Sequence, residues 1–314
     1  MPFEGVKTVH DHHVHTDWDR DREPALEVEP GSEVHLEIVD ASGGQLHAGS
    51  TVDDVANLDF ERVNPVTGPV HVRGARPGDV LEVRILELGR CDWGWTALIP
   101  GFGLLADDYP EPELKIWSFD DAMREAVFRD DVRIPVRPFP GTIGVAPAEP
   151  GPHGVVPPRS VGGNMDVRHL TAGATLYLPV AVDGALFSAG DTHAAQGDGE
   201  ACGTAIETSL DLTVRLNVRR DLRVRQPQFE LPGPLGSEGD AHGFRVTTGV
   251  DPDLMEAARL AVRHMIEVLV EEHDFSETDA YMLCSVAVDL KIHELVDAPN
   301  WVVGAFLPKG IFRR

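Results

Sequence analysis

The chain has 314 residues, enough to bury a large core in one domain or two, and its cysteines (Cys91, Cys202 and Cys284) form no CxxC pair, which excludes a disulfide framework and a cysteine zinc module. A formal net charge of −25, from 52 acidic against 27 basic residues, excludes nucleic acid as a partner, because a phosphate backbone needs the opposite field. No apolar leader follows a basic start and no run of about eighteen apolar residues occurs, so no membrane partner is expected and the chain reads as cytoplasmic.

The basic residues include only four lysines, Lys7, Lys115, Lys291 and Lys309. A GC-rich genome gives such a skew; an acidic, lysine-poor surface also suits a protein kept soluble in high salt, and a halophilic host is the preferred reading.

At the start, "VHDHHVHTDWD" gathers His10, His12, His13 and His15. The HxH spacing resembles the first-strand metal ligands of barrel amidohydrolases, but that fold needs eight βα units and helix signals are sparse before residue 250. The segment therefore reads as a solvated terminus. In "EPGSEVHLEIVD", Val34, Leu36 and Ile38 alternate with polar neighbours after Pro30-Gly31, which predicts a half-buried strand. "RPGDVLEVRILEL" repeats the phrase after Pro77-Gly78, a common turn-and-strand pattern that need not mean duplication. Residues 138–164 are dense in Pro and Gly and exclude a regular helix or a long strand, so they predict an ordered irregular connection. Two alternating segments follow: "TLYLPVAVDGALFSAG", with a hairpin signal at Asp183-Gly184, and "SLDLTVRLNVRR".

Helix signals concentrate after residue 250. "DPDLMEAARLAVRHMIEVLVEEH" offers Asp251 as N-cap, Pro252 at the first helical position and Leu254, Ala257, Ala261, Met265 and Leu269 at helical spacing. "SETDAYMLCSVAVDLKIHELVD" predicts a second helix, with Ser276 and Asp279 in a capping box and His293–Leu295 as its end. The fold class expected is mainly β, a sandwich-like or barrel-like body, with a smaller α+β carboxy-terminal part. The divisions are a β-rich domain over 1–137, a central β-rich segment carrying the site over 138–230, and the α+β part over 231–314.

Between the two alternating segments lies "SAGDTHAAQGDGEACGTAIET", residues 188–208, which holds Asp191, His193, Asp198, Glu200 and Glu207 among small residues. Asp191 and His193 are two apart, as are Asp198 and Glu200, so each pair would share a side of an extended chain. Carboxylate plus imidazole suits a borderline metal, and a further carboxylate can act as base toward a water. By composition alone the stretch reads equally as a polar turn. "GGNMD" adds Asn164, a candidate oxyanion donor, and Asp166, a further candidate ligand; the alternative is an Asx turn. Cys202 reads as a packed thiol, since no lysine lies near it in sequence. No zincin motif (position 297 is Asp297, not His), GxSxG elbow, Walker A or dinucleotide fingerprint occurs.

The segments "RVNPVTGPVHV", "IPGFG", "GVAPA", "PGPHG", "GGNMD", "LYLPVAVDGALFSAGDTHAAQGDGEACGTAIE" and "VDAPNWVVGAFLPKG" together span almost the whole chain. In content and order they resemble the acetamidase/formamidase family. The resemblance implies hydrolysis of a small carboxamide, formamide or acetamide, to the acid and ammonia; it also implies a homo-oligomer (a dimer or higher) and a divalent metal near the central block. Zn2+ is the expected ion and Ca2+ the alternative. Chemical inference guided by the motif positions puts the metal on Asp166, Asp191 and His193. Glu200 is expected to take a proton from a metal-activated water and return it to the departing nitrogen, with Asn164 at the oxyanion. Asp198, counted among the catalytic groups, and Gln196 would position the substrate NH2. A metal-free route, with Glu200 as base and backbone amides as the hole, is the alternative mechanism. His293-Glu294 stands where the family often has a Ser-Gln or similar polar pair, a departure bearing on substrate preference. A different amide or C–N substrate, or a catalytically silent binding or assembly protein, are the competing functions.

Overall fold

The computed structural model describes residues 6–103, 106–107, 110–119, 122–129, 132–200, 202–233, 242–277, 280 and 288–312. Two sheets dominate. A nine-stranded sheet runs in the spatial order Lys7–Val9, Ser32–Leu36, Leu212–Arg219, Val80–Leu88, Thr175–Pro179, Gln228–Leu231, Phe244–Asp251, Trp301–Pro308 and Asp289–Glu294. It draws strands from all three sequence divisions, and every neighbouring pair is antiparallel except the first. The two strands that follow Pro-Gly flank Leu212–Arg219 on opposite sides.

The second sheet runs Gly162–Asn164, Phe139–Gly144, Phe187–His193, Val66–Val72 and Val14–His15, with Leu26–Val28 parallel to Val66–Val72. Between the sheets lies one apolar core. Val34, Leu36, Leu81, Val83, Val214 and Leu216 from the first sheet meet Val70, Ile143, Phe187 and Ala189 from the second, all with essentially no exposed surface. The period-2 alternation of Val80–Leu88 is what puts its apolar side on this core. The mainly β, sandwich-like fold is therefore as expected.

Several local expectations need correction. The helix starts two residues late: Leu254–His273 is capped by Asp253, whose side chain accepts from the Glu256 amide, while Asp251 is still paired with Trp301 in the sheet. Part of the predicted second helix lies outside the described residues (278–279 and 281–287), and its end is a strand. Asp289–Glu294 pairs antiparallel with the apolar Trp301–Pro308, so His293 is a strand residue and cross-strand pairing overrides the local helical pattern. Asp183-Gly184 does turn, but Thr175–Pro179 and Phe187–His193 belong to different sheets, so it carries the chain across the sandwich instead of closing a hairpin. The Pro/Gly-rich stretch is ordered as expected, and it holds one fully buried interior strand, Phe139–Gly144. His10, His12 and His13 are exposed, but His15 is buried, with Nε2 3.0 Å from Ser188 Oγ.

Candidate functional site

Three adjacent strands build the floor. Thr142 sits between Asn164 on one side and Gly190 on the other, and the Phe187–His193 strand delivers Asp191 and His193 at its end. Position 141 carries no side chain. A Cβ there would lie 2.6 Å from Asp166 Oδ1, 2.7 Å from His193 Cε1 and 2.8 Å from Asp191 Oδ2, so glycine is needed for these three groups to converge. Asp166 (φ 50°), Asp191 (φ 52°) and Glu200 (φ 43°) are all left-handed, which costs a non-glycine residue roughly 1–2 kcal/mol each. Such outliers persist where the surroundings hold them, and they gather at working sites.

His193 is the centre. Its Nε2 lies 3.0 Å from both Asp191 Oδ1 and Glu207 Oε2, and its Nδ1 lies 2.9 Å from Gln196 Oε1. Oxygen atoms thus face both ring nitrogens. Burial opposes a positive charge on the ring, yet Glu207 and Asp191 raise His193 well above its ordinary value. Burial likewise opposes ionisation of Asp191, but His193 holds it below its usual range. Burial, and then the Asp191 charge, push Asp166 well above the carboxylate range. Glu207 is pushed up to about 7 by burial, with His193 pulling the other way. Glu200 is raised well above its ordinary value by burial and by Asp166. Five acids share this buried volume, Asp297 being the fifth, and His193 is the only imidazole grouped with them among the described residues.

The donor set fits a divalent cation. Both carboxylate oxygens of Asp166 are buried without a hydrogen-bond partner, and its ligand atoms lie within 4.8 Å of those of Asp191 and His193. An unpaired buried carboxylate is costly, and a cation relieves it. Gln196 fixes the imidazole from behind, accepting from Nδ1 while its own Nε2 donates to the Asp166 carbonyl at 3.0 Å.

Of the residues singled out from sequence, Asn164, Asp166, Asp191, His193 and Glu200 come together here. Gln196 does too, but both ends of its carboxamide are already engaged by protein. Asp198 does not. Gly199 (φ 94°) turns the chain between Asp198 and Glu200, so the pair does not share a face: Glu200 is buried in the cluster, while Asp198 stands 3.2 Å from Arg168 Nε. Cys202 is a free thiol donating to the Thr204 carbonyl at 3.3 Å.

Sequence reasoning gave no role to Glu207, Asp297 and Glu294. Asp297 Oδ2 accepts from Asn164 Nδ2 at 2.6 Å, and Glu294 Oε1 accepts from the Asp297 amide at 2.6 Å. Burial raises Asp297 well above its usual range and Glu294 to about 7. The signal available for Glu207 was its place in the 188–208 stretch, and for Asp297 its place in "VDAPN". Above the cluster is a cavity of about 100 Å³. Its polar wall includes Asn164, Asp191, Glu200, Glu207 and Asp297, and its apolar wall includes Leu58, Phe60, Trp95, Ile99 and Phe102.

Comparison with known proteins agrees. The model of the acetamidase/formamidase family matches residues 4–154 and 148–314. The chain belongs to the acetamidase/formamidase family. Members of this family are amidases, and this chain is 29% identical over 368 residues to the formamidase of Methylophilus methylotrophus, covering 96% of this chain and 90% of that one. It is 32% identical over 267 residues to the acetamidase of Mycolicibacterium smegmatis, covering 64% and 65%. Its fold superposes with a TM-score of 0.89 on the crystal structure of a predicted acetamidase/formamidase from Thermoanaerobacter tengcongensis, at 30% identity and covering 98% and 96%. This acetamidase/formamidase family protein is an amidase that hydrolyses carboxamide C–N bonds.

Proposed function

We propose that the substrate is a short linear carboxamide, formamide or acetamide, cleaved to the acid and ammonia in the cavity above His193. The observation that carries this reading is Glu200: a buried carboxyl whose ligand atom lies within 4.8 Å of those of His193 and Glu207, and of Asp166 and Asp297, and which faces the cavity. Asp166, Asp191 and His193 would hold a divalent cation, Zn2+ with Ca2+ as the alternative, which when bound would supply positive charge to polarise a carbonyl oxygen and acidify water.

The chain's own groups do the rest. Glu200, raised above its ordinary value by burial and by the Asp166 charge, takes the proton of the attacking water and returns it to the amide nitrogen, which leaves poorly unless protonated. Asn164 Nδ2 spends one N–H on Asp297 Oδ2 and has a second for the developing oxyanion. Glu207 and Gln196 hold the imidazole, and Asp198 acts at a distance, through Arg168, on the loop that bears Glu200. Phe60, Trp95 and Phe102 border the cavity on its apolar side, shield the reacting amide from bulk water and pack on a small acyl group.

The excess of acidic residues supports a host with high internal salt, family membership supports a homo-oligomer, and the cytoplasm is the proposed location. Among the described residues no helix is long and apolar enough to cross a membrane. The Glu200→Gln variant tests the assignment: ammonia release is expected to drop roughly 10²–10⁴-fold with the fold kept. Turnover within a few-fold of the parent would remove Glu200 from the role.

A further inference from the structure

A second group of metal-ligating side chains lies outside the cradle. His169 follows the Asp166 segment, Asp198 stands on the Glu200 loop, and His293 belongs to the strand Asp289–Glu294. Each brings one ligand atom to within 4.8 Å of the other two. His293 has no exposed surface, yet neither of its ring nitrogens has a hydrogen-bond partner, and the buried Nδ1 of His169 has none either. Leaving a buried polar group unpaired is unfavourable.

The surroundings aim these rings. Phe306 packs against both, with ring centroids 5.2 Å from His169 and 5.5 Å from His293. A Cβ at Gly304 would lie 2.3 Å from His293 Nε2, so backbone closes that side of the ring. On the other side Nδ1 faces Asp198 Oδ1 at 3.8 Å, too far for a hydrogen bond.

We propose that His169, Asp198 and His293 form a second metal site, selective for a borderline divalent cation of the Zn2+ type and separate from the Asp166–Asp191–His193 cradle. Two imidazoles and a carboxylate are the donor set of tetrahedral zinc with one open position, whereas Mg2+ and Ca2+ take oxygen ligands. Zinc with bonds of about 2.0–2.2 Å holds its donor atoms roughly 3.4 Å apart, so the 3.8 Å separation closes with a small side-chain movement. His169 and Asp198 line a cavity of about 720 Å³ whose wall Glu200 shares, which gives the ion a route in. Arg168 is the competing partner for Asp198. The Gly199 amide already donates to the His293 carbonyl at 2.9 Å, so an ion here would staple the loop that bears Glu200 to the edge strand.

Zinc counting by elemental analysis tests this directly and involves no substrate, so its outcome is independent of the amidase mechanism. Chelator-stripped protein is reloaded with Zn2+ and dialysed. The wild type is expected to retain one more equivalent per chain than His169→Ala and one more than Asp198→Asn, with Asp166→Asn separately removing the equivalent of the cradle. His293→Gln is expected to match His169→Ala; should that buried substitution prevent folding, the two more exposed positions carry the test. Equal zinc content in the wild type, His169→Ala and Asp198→Asn would overturn the second site and leave Asp198 as the partner of Arg168 alone.

Discussion

A methyl group at position 141 would stand within 2.8 Å of Asp166, Asp191 and His193 together, and none of the three can retreat far inside a buried cluster. Gly141→Ala is therefore expected to keep the sheet, since the backbone at 141 is not left-handed and accepts an L side chain, while pushing the three ligands apart. Loss of retained metal and of activity, with little change in circular dichroism, is the predicted result; full metal retention would show that the cradle has slack. Residue-level chemistry was partly legible in the sequence. Asp191 and His193 did meet, although Asp191 leaves the extended conformation that their spacing assumed. Asp198 and Glu200 did not, because a left-handed Gly199 between them undoes the two-residue periodicity. Nothing local distinguishes such a glycine from one in an ordinary turn.

At the scale of elements, alternation located the strands but not their partners. The Thr175–Pro179 and Phe187–His193 strands look like a hairpin in sequence and sit in opposite sheets, a choice made by which apolar face each must bury. The strand that carries His293 read as helix because its pairing partner, twelve residues on, was not visible in its own pattern. The amino-terminal strand makes its own prediction. His15 donates through Nδ1 to the Asp17 carbonyl at 2.7 Å and accepts at Nε2 from Ser188, so it is neutral in the fold. Burial, and then the Arg22 charge, lower it to about 4 from an unfolded value near 6.5. The unfolded chain binds that proton first as pH falls. The stability it contributes is thus intact above pH 6.5 and declines through pH 4, by up to about 3 kcal/mol. Hydrogen exchange of the Thr16 to Trp18 amides, corrected for intrinsic rate, should speed up between pH 6.5 and 4; unchanged protection would contradict it.

Across the whole molecule, 52 acids against 27 bases leave a large uncompensated surface charge even after pairs such as Arg73 with Glu27 and Glu29, and Arg219 with Glu82 and Asp221. Self-repulsion of this kind is screened by salt, whose Debye length shortens from about 10 Å at 0.1 M to about 3 Å at 1 M. The melting temperature should rise with KCl over that range, and a fall would contradict a net repulsive surface. The charge says nothing about the site, whereas the buried cluster of acids around one imidazole does. The most direct measurement of the central claim is ammonia release from formamide, acetamide and propionamide by metal-replete protein in high salt. Turnover of at least one of these short amides is predicted, lowered roughly 10²–10⁴-fold by Glu200→Gln; no release from any of them by folded, metal-loaded protein would contradict it.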